Sequence, residues 1–254
     1  MVSGLFSLKM LSPRSDQRAL RRKIQLWHQK TLGRLEIHRT LSGDIPEGPC
    51  LIVSNHLSWV DILLIGSFAD VRFVAKAEVA TWPVVGKLAS GAGTLFIRRG
   101  DRHSAERAVA DIAYELTCGH RVVIFPEGTT TRGPMPIKFK SRLLQAAREA
   151  DVPVVPIALS YHGAGKEWVA YADDDQFLSH LIRICRAPFI RSRVSVGKPI
   201  FSNESVTTIA TRAQSCVEQM LDVVVFSCET GAPGLASQAT KLETTGTFEP
   251  MTLN

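Results

Sequence analysis

Apolar and polar positions alternate in blocks along the chain. Short runs of aliphatic and β-branched residues occur at Leu51–Ser54, Arg72–Ala75, Thr94–Ile97, Val122–Phe125, Val154–Leu159 and Arg193–Val196. Each has the length and make-up of a strand buried on both faces. Between them, residues 59–68, 104–117 and 141–150 carry apolar side chains at helical spacing, and 204–226 reads as a late helix. Strand and helix therefore alternate. That pattern predicts an α/β fold of one domain, with a mostly parallel central sheet flanked by helices. Upstream, Leu20, Ile24, Trp27, Thr31 and Leu35 recur at three- and four-residue steps, one face of a helix. Residues 229–254 are rich in Thr, Ala, Gly and Ser and have little to bury, so they are expected to form a disordered tail.

Charge changes the picture at one place. The chain of 254 residues has a formal net charge of +6. Residues 1–40 hold nine basic and two acidic side chains, which accounts for the whole excess. Arg18, Arg21, Arg22, Lys23 and Lys30 fall mostly around the Leu20–Leu35 stripe. A basic helix with Trp and Leu on its apolar face suits an anionic membrane surface. The same stripe would equally serve to dock the helix on its own domain. The expected organisation is a basic amphipathic membrane-surface segment, 1–40, then a domain over 41–228, then the tail. Nucleic acid is not the expected partner, because residues 41–254 are close to neutral and no recognition motif follows the basic segment.

Composition excludes several classes. Hydrophobic residues make up 45% and charged residues 21%, ordinary values for a folded chain with a sizeable core. No stretch reaches the ~18 uninterrupted apolar residues of a membrane-spanning helix. Five scattered cysteines without a Cys-x-x-Cys pair argue against structural zinc and for reduced thiols in the cytosol. There is no Gly-x-Ser-x-Gly elbow, no complete P-loop, no dinucleotide fingerprint and no His-Glu-x-x-His, and no metal or cofactor is expected.

The segment Ser54-Asn55-His56-Leu57-Ser58-Trp59-Val60-Asp61 follows an apolar strand and opens an apolar helix. Two readings are open. Ser58 and Asp61 have the spacing of a capping box, so Asp61 could serve only to start the helix. Alternatively, His56 lies before the first turn and folds back over it. Asp61 then accepts from one ring nitrogen and leaves the other free as a base. Such a base needs no serine partner and can deprotonate a hydroxyl on the substrate. Three further blocks follow in order: Gly93–Arg99 with two arginines at a strand end, Phe125-Pro126-Glu127-Gly128-Thr129-Thr130-Thr131-Arg132, and Val152–Ile157.

Those four ordered blocks resemble the glycerolipid acyltransferases that include bacterial 1-acylglycerol-3-phosphate acyltransferase. Lys76-Ala77-Glu78 with Pro83 and Gly86 is similar to a further block of that family. The resemblance implies that His56 is the general base, that Asp61 orients it, and that the acceptor hydroxyl attacks an acyl thioester directly. It implies substrate contacts from Asn55, Lys76, Arg99, Glu127, Gly128, Thr129 and Arg132, with Arg99 on the acceptor's anionic head group. It implies a fatty acyl transfer from acyl-CoA or acyl carrier protein to 1-acyl-sn-glycerol-3-phosphate, giving phosphatidic acid in phospholipid biosynthesis. The enzyme would sit on the cytoplasmic face of the inner membrane, peripherally or monotopically. The sequence departs from the pattern at Thr130, where the family usually has Arg. Enzymes that acylate lyso-ornithine lipid, whose head group has a carboxylate and no phosphate, look similar here. An inactive membrane-binding relative is the remaining alternative.

Overall fold

All six strands expected from the hydrophobic runs are present in the computed structural model, which describes residues 17–229 except 99, 101, 134, 173–174 and 202–203. In chain order they are β2 (Leu51–Ser54), β3 (Arg72–Lys76), β4 (Leu95–Ile97), β5 (Val122–Ile124), β6 (Val154–His162) and β7 (Ile190–Val196), preceded by β1 (Ile37–Ser42). They form one seven-stranded sheet in the order β1-β7-β6-β2-β5-β3-β4. Strands β2 to β6 run parallel; β7 is antiparallel to β6 and parallel to β1.

The helices are α1 (Gln17–Arg34), α2 (Val60–Phe68), α3 (Val85–Gly91), α4 (Arg102–Thr117), α5 (Gln145–Glu149), α6 (Phe177–Cys185) and α7 (Val206–Glu229). They cover both faces of the sheet. Successive strand side chains point to opposite faces, so each short run feeds two cores. Leu51, Val53, Val122 and Ile124 pack with α4, α5 and α7 through Ile112, Ala146 and Val217. Ile52, Val123, Val155 and Ile157 pack with α1, α2 and α6 through Leu32, Leu64 and Ile184. Every residue of β2 is buried, which is why the run reads as uninterruptedly apolar.

The expected boundary at residue 40 is not observed, because it falls within β1, which pairs with β7 from Ile37 to Ser42. Nor does α1 stand apart. Its Leu32 is buried, Gln25 and Gln29 donate to the Ser67 carbonyl, and Arg21 pairs with Asp70 at 3.2 Å. Gly66 of α2 makes this fit: a Cβ there would run into the His28 ring. The apolar stripe of α1 is thus turned to its own domain, and Arg22, Lys23, Lys30 and Arg34 face outward with Leu26. Of the expected outer segments, residues 1–16 and 230–254 lie outside the described residues. Among the described residues no helix is long and apolar enough to cross a membrane.

Candidate active site

Because β2 to β6 are parallel, their C-terminal ends open on one edge of the sheet, where α/β folds bind ligands. The chain continues from β2 into Asn55-His56, from β3 into the short 3-10 helix Ala77–Thr81, from β4 into Arg98, and from β5 into Phe125–Thr131. Three of the four sequence blocks follow strand ends on that edge, those of β2, β4 and β5, whereas Val152–Ile157 opens β6 and pairs with the start of β2 at Leu51.

The His56 ring folds back over the first turn of α2. Its Nδ1 lies 2.8 Å from Asp61 Oδ2. The same oxygen accepts the main-chain N–H groups of Leu57 at 2.7 Å and Ser58 at 2.8 Å. The other oxygen, Oδ1, accepts the Tyr161 hydroxyl at 2.6 Å. Asp61 is wholly buried, and these donors compensate its charge. Burial, then the Asp61 charge, push the Tyr161 phenol well above its ordinary pKa, so it remains a donor. A carboxylate on Nδ1 places the ring proton there and leaves Nε2 as the acceptor. The ring is stacked on Phe125, with centroids 3.8 Å apart and planes 12° from parallel. Two constraints, one on the edge of the ring and one on its face, therefore hold the imidazole.

Glu127 is also fully buried, but its carboxylate is turned to the main chain. Oε1 accepts His56 N–H at 2.7 Å and Oε2 accepts Ile137 N–H at 3.1 Å. Burial raises the pKa of this carboxyl group, and the two N–H donors oppose that rise. Thr131 N–H donates to the His56 carbonyl at 2.9 Å. The β5 loop thus grips both main-chain groups of His56. Asn55 closes a two-bond clamp on β6: Nδ2 donates to Leu159 O at 3.0 Å and Leu159 N–H donates to Oδ1 at 2.8 Å. Asn55 and Glu127, expected on the substrate, instead brace the backbone that carries the base. Both are buried and their polar atoms are engaged.

The remaining expected residues are distributed around this centre. Gly128 has φ +77°, and a Cβ there would meet Lys140 Nζ, so the turn needs glycine at this position. Thr129 is exposed beside it, and Lys76 is exposed at the end of β3. Arg132 is bonded to Asp175 at 3.2 Å and to the Ala172 carbonyl at 3.3 Å. Asp175 is also held by Arg183 at 3.0 Å. Arg99 lies outside the described residues; its neighbour Arg98 is exposed. Among the described residues, no three His, Cys, Asp or Glu side chains assemble as a metal-binding group.

Sequence reading missed three contributors. Tyr161 lies two residues beyond Leu159, the expected end of its strand, which in fact runs to His162. Continuing β6 by two residues would have put Tyr161 on the face of Ile157 and Leu159, toward α2. The Phe125 stack had no sequence signal. Neither did the bond from Trp59 Nε1 to His180 Nδ1, 2.9 Å, which ties the start of α2 to α6.

Comparison with known proteins matches this arrangement. The acyltransferase family model matches residues 34–160, half of the chain. A lyso-ornithine lipid O-acyltransferase of Pseudomonas aeruginosa is 39% identical over 87% of this chain and 86% of its own length. A 1-acyl-sn-glycerol-3-phosphate acyltransferase of Neisseria gonorrhoeae is 36% identical over 56% of this chain and 58% of its own. The crystal structure of the 1-acyl-sn-glycerophosphate acyltransferase PlsC from Thermotoga maritima superposes with a TM-score of 0.66 over 88% of both chains, at 20% identity, and shares the fold. The protein belongs to the acyltransferase family, among the enzymes that acylate glycerolipids and lysolipids.

Proposed function

We propose that the protein transfers a fatty acyl group from an acyl thioester to the free hydroxyl of lyso-ornithine lipid. His56 Nε2 takes the hydroxyl proton as the oxygen attacks the thioester carbonyl. The tetrahedral intermediate collapses, the C–S bond breaks, and the imidazolium returns the proton to the leaving thiolate. Asp61 holds the proton on Nδ1 and stabilises the imidazolium that forms between the two steps. The pairing of His56 Nδ1 with a fully buried Asp61 carries this mechanism. The donor is acyl-CoA or an acyl carrier protein, and the cytoplasmic membrane surface is the place where a lysolipid acceptor is met.

The acceptor reading rests on the head-group side. Thr130 stands where a phosphate-binding relative has Arg, and Arg132 is already engaged by Asp175 and Ala172. A dianionic phosphate would have to compete with Asp175 for that guanidinium. An ornithine head group carries one carboxylate and one ammonium and demands less compensating charge. The similarity to the Pseudomonas enzyme supports the same acceptor. The second reading, lysophosphatidate, is favoured by the completeness of the His56, Gly93–Arg99 and Phe125–Thr129 blocks. Purified protein with labelled acyl-CoA or acyl carrier protein, offered lyso-ornithine lipid and lysophosphatidate separately, decides between them. Faster turnover of lysophosphatidate overturns the ornithine assignment; failure with every lysolipid overturns the acyltransfer mechanism.

A further inference from the structure

The apolar stripe of α1 is spent on its own domain, which leaves mainly cations and Leu26 on the outer face of that helix. Exposed apolar side chains gather elsewhere. In α6, Leu178 is 66% exposed and Ile182 is 45% exposed. They stand four residues apart on one stripe, with Cys185 exposed on the same side. Trp168 at 38% and Phe189 at 42% flank the helix. Hydrogen bonds make this one surface: Gly165 N–H donates to Phe189 O, while Ala170 O meets His180 Nε2 and accepts from Arg183.

We propose that this α6 surface is a lipid-docking face that seats on an anionic bilayer beside the active site. Charge complementarity supports the choice of occupant. Residues 176–203 contain five Arg or Lys and no Asp or Glu. Arg186 and Arg191 are exposed at the C-terminal end of the stripe, Arg191 over the Phe189 ring at 5.1 Å. Of the acids on this side, Asp175 is compensated by Arg132 and Arg183 and Glu167 by Lys166, while Glu36, just before β1, is exposed. Helices α1 and α6 cover the same face of the sheet through Leu32 and Ile184, so the outward cations of α1 belong to that side too. Trp and Phe among arginines, with aliphatic side chains projecting, are the make-up of an element lying in the membrane interface. Phe177, next to Leu178, packs edge-on against Trp59 at 5.5 Å, three residues after His56. Docking through α6 would present the mouth of the site to a lipid acceptor. This surface rests on the lipid-acceptor reading for its purpose, not for its detection.

The chain carries its own probe. Cys185 is exposed on the α6 stripe and Cys118 is exposed in the turn that follows α4, the helix that covers the opposite face of the sheet. The full-length protein is mixed with vesicles of phosphatidylglycerol and phosphatidylcholine, then treated with a membrane-impermeant maleimide. Labelling at each cysteine is read by peptide mass spectrometry. Vesicles should slow labelling of Cys185 by roughly 10-fold and leave Cys118 unchanged, as insertion into the interface requires. Pure phosphatidylcholine should protect less. Leu178→Glu with Ile182→Glu, both at exposed positions, should lower vesicle binding by about 10-fold or more and slow turnover of vesicle-borne acceptor. The same variant should keep wild-type turnover of a short-chain lysolipid dissolved as monomers. Equal labelling of Cys185 with and without vesicles overturns the proposal, whether or not the protein binds them. A wild-type protein with no acyltransferase activity but a protected Cys185 would sink the proposed function and leave the docking face standing.

Discussion

Replacing Glu127 with Gln separates a bracing role from a substrate-binding one. The carboxylate receives two main-chain N–H groups, His56 on one oxygen and Ile137 on the other, and has no exposed surface. A carboxylate only accepts, so it satisfies both. An amide has one accepting oxygen; its NH2 would face the second N–H, donor against donor. One buried N–H is left unpaired, at about 1–3 kcal/mol, and the surviving bond is no longer charge-assisted. We expect Glu127→Gln to lower stability by about 2–3 kcal/mol, which for a chain of this length lowers Tm by roughly 5–10 °C. Glu127→Ala, which leaves both N–H groups unpaired, should lower it further. If the amide oxygen keeps the shorter His56 bond, kcat falls modestly and the Ile137 loop loosens. If it keeps Ile137, the His56 main chain shifts and kcat falls by about 100-fold, since a small misplacement of a catalytic group is that damaging. Calorimetry and steady-state kinetics on one preparation provide both readings. A Gln variant with wild-type Tm and kcat but a raised acceptor KM would refute the bracing argument and return Glu127 to the substrate.

Other consequences follow from the same geometry. His56→Ala should reduce kcat by ~10²–10⁴-fold with the fold retained by circular dichroism, because a positioned base supplies that much; near-normal turnover would exclude His56 as the base. Tyr161→Phe removes a 2.6 Å bond to a buried carboxylate, a loss of about 1.5–3 kcal/mol in stability, with kcat falling and acceptor KM unchanged; denaturant unfolding beside kinetics checks both. Burial lowers His28 from 6.5 to about 4, so the folded chain resists the proton that the unfolded chain takes up. Stability should be flat above pH 6.5 and fall as pH drops toward 4, by up to about 3 kcal/mol at 1.36 kcal/mol per pH unit. Urea midpoints across that range should lose this slope in His28→Gln, and an unchanged slope would place the acid sensitivity elsewhere.

The elements legible in the sequence were those whose burial is complete. Leu51–Val53 and Val122–Ile124 are apolar without interruption because helices cover both faces, and their shortness and β-branched residues mark them as strands. Strand β1 escaped notice for the opposite reason. It is an edge strand in which only Ile37 is buried, and His38, Arg39 and Thr40 give it the polarity of a loop. Helix α6 is hard to read because it is only nine residues long and carries a polar residue, His180, on its buried face while Leu178 and Ile182 are exposed. The role of α1 was undetermined for a different reason. An apolar stripe with a basic surround is the same sequence whether the stripe meets lipid or Ser67 and Gly66, and only tertiary contact distinguishes them.

The two readings of Asp61 turn out to be one arrangement. Asp61 Oδ2 accepts Ser58 N–H, which is the returning half of a capping box, and in the same geometry accepts from His56 Nδ1. The Ser58 hydroxyl, which a complete box would use, makes no hydrogen bond among the described residues. Helix initiation and orientation of the base therefore draw on one oxygen. Asp61→Asn shows the consequence. Its amide oxygen can still accept from Leu57 and Ser58, but then its NH2 faces the Tyr161 hydroxyl, which must reverse to become an acceptor. The helix start survives, and the neutral side chain no longer stabilises the imidazolium. We expect kcat to fall by ~10²–10⁴-fold, as loss of base function implies, with a far smaller fall in Tm than for Asp61→Ala. Equal Tm losses in the two variants would mean that the carboxylate charge, not its accepting geometry, holds the first turn of α2.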